Sequence, residues 1–176
     1  MLSLKLRNLL TLTILALFTS GLTAKIKLSK GDDICLVGAG MGSRMIHYGH
    51  FETEIYLRHP SLNLKIRNLC DEGNTPGFRP HPSRNQEEQY AFPGAKELIH
   101  DDLKANTKPK GHFPTPDQWL SNLHAEVVLC FFGFNSSFDG PGQVGRFKKE
   151  LDAYLKHLNS MPFGQSTPQI VLISPT

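Results

Sequence analysis

The sequence predicts an α/β fold in which helices cover both faces of a parallel β-sheet. Short continuous apolar runs alternate along the chain with segments of helical periodicity, as expected for parallel strands joined by right-handed crossovers. Continuous apolar runs also indicate strands that are buried on both faces. About 150 residues follow the N-terminal segment, which is enough for one domain with a single sizeable core.

The first 24 residues have the pattern of an export signal. Lys5 and Arg7 give a positive start, residues 9–18 form an apolar core, and Ala24 ends a stretch of small residues. This core is shorter than the roughly 20 residues that span a bilayer, which favours a cleaved signal over an uncleaved membrane anchor. We therefore expect a signal peptide at residues 1–24, a domain at residues 25–176, and export to the periplasm or the outside of a bacterial cell.

Charge and cysteine spacing argue against several classes of function. Removing Lys5 and Arg7 from 19 Lys and Arg residues leaves 17 against 16 Asp and Glu residues, without a basic stripe. We expect no nucleic-acid partner, because aromatic and basic residues are not interleaved. The cysteines, Cys35, Cys70 and Cys130, lack the spacing of a metal or haem site, so we expect buried, unreactive thiols and no cofactor.

The predicted elements follow from the apolar spacing. Strands are predicted at residues 34–37, 62–69, 127–132 and 170–173, and helices at residues 43–58, 116–123 and 146–158. Thr115 followed by Pro116 is typical of a capped helix start. Residues 75–115 lack periodicity and predict either a long functional loop or a partly mobile insertion over the strand ends. The chain stops directly after a strand, so we expect it to be covalently linked to further domains of a longer protein.

Glycine-bearing turns follow three of the predicted strands. These turns are Gly38-Ala39-Gly40, Glu72-Gly73-Asn74-Thr75 and Gly133-Phe134-Asn135. Ligands of open α/β sheets bind outside the carboxyl ends of the strands, which makes Asn135 the first candidate functional residue. The alternative is that Asn135 only forms an Asx-turn that ends its strand.

One interpretation of the first turn is a nucleotide or adenosyl-cofactor site. Glycines after a strand let backbone amides approach a phosphate at a helix N-terminus. However, Ser43 stands where the third glycine of the dinucleotide fingerprint belongs, and the acidic Asp71 lies about thirty rather than about twenty residues on. A Rossmann-like domain is therefore the less favoured hypothesis.

Taken together, the three turns resemble, in order and spacing, the first three sequence blocks of the SGNH (GDSL) hydrolases. Four further stretches are similar to the GDSL-like domain of large exported proteins of planctomycetes and related bacteria, where it is often joined to haem-binding dehydrogenase or cytochrome modules. These stretches are YGHFET at residues 48–53, RNL at 67–69, PDQWL at 116–120 and FFGFNSSF at 131–138. The likeness covers about residues 30–176.

The resemblance implies a three-layer, flavodoxin-like fold and the hydrolysis of a small-molecule or polysaccharide ester. By position, the Gly73 amide and the Asn135 side chain would form the oxyanion hole, whose donors stabilise the developing negative charge. The serine nucleophile is replaced by Gly40, and no Asp-x-x-His follows the third block. Ser43 is a substitute candidate, although its place in the first helical turn favours a capping role.

The missing nucleophile leaves other classes of function open. One is a binding module that holds an acylated or polysaccharide ligand without cleaving it, and another is an interaction domain attached to a redox module. Among the histidines, His157 is expected to face solvent on its helix, while His47 and His50 either are ordinary exposed residues or line the crevice.

Overall fold

The computed structural model describes residues 25–101 and 113–174, which form an α/β fold around a parallel sheet. The four strands are β1 (Asp33–Gly38), β2 (Lys65–Asn68), β3 (Ala125–Phe131) and β4 (Gln169–Leu172). Their order across the sheet is β2-β1-β3-β4, and each neighbouring pair is parallel. The predicted parallel α/β architecture is confirmed.

The five α-helices of the described residues lie between β1 and β4 along the chain. They are α1 (Gly40–Arg44), α2 (His50–Arg58), α3 (Pro116–Asn122), α4 (Phe134–Ser137) and α5 (Val144–Ser160). The predicted start of α3 is confirmed: Thr115 accepts a hydrogen bond from the Gln118 amide, and the Gln118 side chain accepts one from the Thr115 amide. This reciprocal capping box satisfies two amides that would otherwise lack a partner.

The core lies on both faces of the sheet, because successive side chains of a strand point to opposite faces. On one face, strand residues pack against α3 and α5; this group includes Cys35, Val37, Val128, Cys130, Leu120, Tyr154 and Leu158. On the other face, strand residues pack against α1 and α2; this group includes Ile34, Leu36, Val127, Leu129, Met41, Phe51 and Ile55. Helices therefore cover both faces of the sheet, as the sequence predicts.

The single helix predicted at residues 43–58 is wrong. The segment forms α1, a 3-10 turn at Met45–His47, and then α2. The helical conformation is interrupted at Tyr48, which has extended dihedral angles, and Gly49 is the residue that precedes α2. Glycine is unfavourable in a helix interior because it loses the most backbone entropy, so a break at this position is physically reasonable.

The long segment after β2 is part of the core, a role that the sequence analysis missed. Its buried apolar residues are Phe78, Ala91, Phe92, Ala95 and Ile99. Glu150 of α5 anchors its start, because the buried Oε1 atom accepts hydrogen bonds from Thr75 Oγ1 and the Gly77 amide, both at 2.6 Å. Residues 75–101 thus join the helix layer rather than only covering the strand ends; residues 102–112 lie outside the described part.

The predicted signal peptide, residues 1–24, also lies outside the described residues. Within the described ranges, no helix combines the length and the apolar character needed to cross a membrane.

Candidate functional site

The three glycine-bearing turns converge at the carboxyl end of the sheet. The Asn74 side-chain amide donates a hydrogen bond to the Gly38 carbonyl oxygen at 3.0 Å. The Asn135 side-chain amide donates to the carbonyl oxygens of Glu72, at 2.5 Å, and of Asn74, at 3.1 Å. A chain of hydrogen bonds therefore links the turn after β3, through the turn after β2, to the end of β1.

Two glycines make this convergence possible. Gly38 has φ +134°, and a Cβ atom there would lie 2.3 Å from the carbonyl oxygen of Phe131 on the neighbouring strand. Gly133 has φ +116° and turns the chain from β3 into α4, which carries Asn135. Both positions need glycine, because other residues rarely adopt positive φ and because the first has no room for a side chain.

The Asn135 amide is used inside the protein. The Nδ2 atom of Asn135 lies close to two backbone carbonyl oxygens. Only the amide nitrogen can donate to such oxygens, so these contacts fix which end of the amide is nitrogen and which is oxygen. A side-chain amide has two hydrogens, and here each one is directed at a backbone acceptor. A ligand oxygen would therefore have to compete with two carbonyl groups for the predicted oxyanion donor.

Gly73 lies in an open crevice of about 390 Å³, which we call the Gly73 crevice. Its lining residues are Glu72, Gly73, Thr75, His100, Asn135, Ser136, Asp139, Arg146, Phe147 and Glu150. The volume falls within the range of small-molecule sites. Among the described residues, the Gly73 amide has no hydrogen-bond acceptor, so this donor is available to a ligand.

The Gly73 crevice has more acidic than basic side chains. Among the described residues, Glu72, Asp139 and Glu150 line it against a single arginine, Arg146, which is paired with Asp139. Oxyanion sites work by aiming positive charge or hydrogen-bond donors at developing negative charge. The acidic lining opposes that task and suits a neutral, hydrogen-bonding ligand better.

The nucleophile position lies next to this crevice. Gly40 is the first residue of α1, and a Cβ atom there would meet nothing closer than Glu72 Cγ, at 3.9 Å. The position thus has room for a side chain but carries none. Ser43 is the fourth residue of the same short helix. Its hydroxyl donates a hydrogen bond to the Gly40 carbonyl oxygen at 3.1 Å.

The expected capping role of Ser43 is wrong, because the residue before α1 is Ala39 and makes no side-chain cap. Ser43 also lies outside the set of described residues that line the Gly73 crevice. The structure therefore brings together Gly73 and Asn135, two of the three candidate site residues, and leaves Ser43 apart from them.

The expectation that His157 faces solvent is wrong. Its side chain is only 12% exposed, and Nε2 lies 2.9 Å from both carboxylate oxygens of Asp117. The pair joins α5 to α3, and sequence spacing gave no sign of it because the two residues are 40 positions apart. His47 and His50 are exposed, as ordinary surface residues are. No cluster of three or more metal-ligating side chains occurs in the described ranges.

The three cysteines are free and buried, as predicted. Burial is the main cause that raises the pKa of each thiol, Cys35, Cys70 and Cys130, to about 12. A thiol with so high a pKa carries almost no thiolate near neutral pH, and thiolate is the reactive form. None of the three is therefore suited to act as a nucleophile.

A second cavity, of about 250 Å³, lies on the other side of the turn after β2. We call it the Arg79 cavity; Asp71, Asn74, Arg79, His81, Arg84, Phe113, Trp119 and Tyr154 are among its lining residues. Residues of one turn therefore line two different cavities. Asp71 and Asn74 line the Arg79 cavity, whereas Glu72 and Gly73 line the Gly73 crevice. The burial of Arg79 and Arg84 was not predicted from the sequence, because a non-periodic segment gives no sign of burial.

A scan of the chain against protein-family models found no match. A search among curated proteins found no significant relative either. The family resemblance therefore rests on the sequence motifs.

Proposed function

We propose that this chain is an SGNH-like domain, of the class that acts on ester bonds, whose Gly73 crevice binds an acylated or polysaccharide ligand without cleaving it. The observation that carries the proposal is the hydrogen-bonded convergence of the three glycine-bearing turns. Those turns come together although they are separated by long stretches of sequence. Their meeting at the strand ends is what the SGNH arrangement requires.

The order of the strands supports the fold assignment. The parallel order β2-β1-β3-β4 corresponds to the first four strands of the flavodoxin-like order 2-1-3-4-5. Helices on both faces agree with the three layers of that fold. In such sheets a ligand binds at the carboxyl ends of the strands, where the Gly73 crevice lies.

The chemistry of the site supports binding over cleavage. An acyl-enzyme needs an oxygen or sulfur nucleophile, and Gly40 offers none at the position where the resemblance places serine. The hydroxyl of Ser43 is directed at the backbone of its own helix, and the Asn135 amide is held by two carbonyl groups. The free Gly73 amide remains as a donor for a ligand carbonyl or hydroxyl oxygen.

The second candidate function is ester hydrolysis itself. The available Gly73 amide favours it, because one preorganised donor already stabilises an oxyanion. The candidate requires a nucleophile other than position 40 and a base other than the histidine of an Asp-x-x-His motif, which does not follow the third turn in this sequence. Acetate release from an acetylated substrate separates the two candidates.

The binding proposal is tested with acetylated xylo-oligosaccharides in a calorimetric titration of the full chain. Ser136 lines the Gly73 crevice, so Ser136→Phe should fill it and weaken binding at least tenfold. Ser137→Phe is the matched control, because Ser137 is the next residue of α4 and is exposed outside the crevice lining. Equal binding by both variants, or no saturable binding by the unmodified chain, would contradict the proposal.

A further inference from the structure

The Arg79 cavity contains a buried cation that is not paired with any acidic side chain of the described residues. Arg79 is 5% exposed, and its Nη1 atom donates to the Phe78 carbonyl oxygen at 3.2 Å. The Nη2 atom has no hydrogen-bond partner, and among the described residues no carboxylate forms an ion pair with this arginine. An uncompensated buried charge is costly, which makes the site unusual.

Two aromatic rings hold the guanidinium, and the hydroxyl of one of them, Tyr154, also interacts with Arg79 through a side-chain hydrogen bond. The Cζ atom of Arg79 lies 4.6 Å from the ring centre of Phe132 and 5.1 Å from that of Tyr154. Cation–π contacts of this kind offset part of the desolvation cost and fix the orientation of the group. The ring faces themselves accept no hydrogen bond in the plane of the guanidinium, where a carboxylate would bind.

The charges around the cavity favour an anion. Arg84 is a second buried arginine in the lining; burial first, and repulsion from Arg79 second, lower its pKa to about 10. Burial, followed by the charge of Arg84, lowers the pKa of His81, so this side chain is mainly neutral at pH 7. Among the described residues, Asp71 is the one acidic residue of the lining. Two arginines against one aspartate leave a net positive cavity.

The aromatic wall sets the shape of the site. The ring of His81 stacks on that of Phe113 with centres 3.5 Å apart, and the edge of Trp119 meets Phe113 at 5.5 Å. The cavity volume of about 250 Å³ holds one ring-sized ligand. Aromatic side chains beside a cation fit a ligand that has a ring-shaped body and one negative group.

We propose that the Arg79 cavity binds a carboxylate ligand the size of a single sugar ring, with the carboxylate against the Arg79 guanidinium and the ring against Phe113 and Trp119. Among the described residues the Nη2 atom of Arg79 has no hydrogen-bond acceptor, so its hydrogens are left for the carboxylate. This chemistry is shared by a uronate unit of a polysaccharide and by a free aromatic acid. The site is separate from the Gly73 crevice and does not depend on the proposed function.

The test is a calorimetric titration of the full chain with three small probes. Glucuronate and benzoate carry the carboxylate, and glucose is the neutral counterpart of glucuronate. We expect saturable binding of at least one acid and at least tenfold weaker binding of glucose. Tighter binding of glucuronate would assign the site to a uronate, and tighter binding of benzoate would assign it to an aromatic acid. No saturable binding of either acid, or equal binding of glucose, would overturn the proposal.

Variants identify the group that recognises the carboxylate. Arg79→Met keeps the length of the side chain but removes the charge, and it should weaken acid binding at least tenfold. Arg58→Met is the matched control, because Arg58 is exposed on α2, on the opposite face of the sheet, and pairs only with Glu54 among the described residues. Unchanged binding by a folded Arg79→Met variant would overturn the proposal.

If Arg79→Met does not fold, a second variant, Asp71→Asn, tests whether the cavity binds the carboxylate. Asp71 is exposed, and its Oδ1 atom accepts a hydrogen bond from the Glu72 amide, a role that asparagine can also fill. Asp71→Asn should therefore fold and tighten acid binding severalfold, because it removes the one negative charge of the lining. Unchanged or weaker binding by this variant would contradict the proposal. Ser136→Phe should leave acid binding unchanged, so the two sites can fail separately.

Discussion

The side-chain amide of Asn135 donates a hydrogen bond to the backbone carbonyl of Asn74, 61 residues earlier in the chain, at 3.1 Å. The side chain of Asn74 is itself buried and donates to the carbonyl of Gly38. Two asparagines thus hold the carboxyl ends of three strands in one arrangement. The residue that the sequence indicates as an oxyanion donor has a structural role in the same place.

Replacing Asn135 should loosen the turn after β2. Asn135→Ala removes two hydrogen bonds, and we expect the free energy of unfolding to fall by about 1 to 3 kcal/mol. Asn135→Asp should be at least as harmful, because it has the same shape but places acceptor oxygens against two carbonyl oxygens. Urea unfolding followed by circular dichroism measures both. Wild-type stability of Asn135→Asp would refute the structural role.

Position 38 should tolerate no side chain, whereas position 40 should. Gly38→Ala would bring a Cβ atom to 2.3 Å from the Phe131 carbonyl oxygen at positive φ, so we expect a loss of about 3 kcal/mol or more. Gly40→Ala meets nothing closer than 3.9 Å and should change stability by less than about 1 kcal/mol. Thermal unfolding compares the two, and a similar loss in both variants would contradict the packing at Gly38.

The buried carboxylate of Glu150 should be essential for holding residues 75–77. Its Oε1 atom accepts two hydrogen bonds, so Glu150→Ala leaves two buried donors unpaired and should cost about 3 kcal/mol. Glu150→Gln keeps an acceptor of the same shape and should cost roughly half as much. Asp152→Asn, at an exposed position of the same helix, is the control. Denaturant midpoints that do not separate Glu150→Ala from this control would rule the anchor out.

The thiols should make the protein less stable at alkaline pH. Below pH 9 the thiols are protonated in both states and contribute no pH dependence. Between pH 9 and about 12 the unfolded chain releases protons that the native state keeps, so the free energy of unfolding falls as pH rises. The expected slope is roughly 1 kcal/mol per pH unit for each thiol.

The measurement is the free energy of unfolding at a series of pH values for the wild type and for Cys130→Ala, which should show a shallower decline. The native protein should also fail to react with a thiol reagent at pH 8, whereas all three thiols react after denaturation. Rapid reaction of the native protein would contradict the buried placement of the cysteines.

The elements with local signals are the ones that the sequence predicts well. β1 and β3 are continuous apolar runs, and the start of α3 has its own capping residues at Thr115 and Gln118. The break at Tyr48 was missed because the apolar spacing continues across it into α2. The burial of residues 75–101 was missed because it depends on contacts with α5, such as those of Glu150, that no local pattern encodes.

The residues of the candidate site also fall into those that the sequence indicates and those that depend on tertiary contacts. Asn135 was found because an asparagine after a strand has a known local meaning, whereas Gly73 was found through the family resemblance; both line the Gly73 crevice. The two hydrogen bonds of the Asn135 amide were not predictable, since they join residues more than 60 positions apart. Arg79 and the pairing of Asp117 with His157 are likewise products of tertiary packing.

The most direct test of binding without cleavage is the release of acetate from acetyl-xylan by the full chain, measured beside Ser43→Ala. We expect no release above the uncatalysed rate for either protein, because position 40 has no nucleophile and the Ser43 hydroxyl is hydrogen-bonded to its own helix. Turnover by the wild type that Ser43→Ala abolishes would contradict binding without cleavage and identify a working hydrolase.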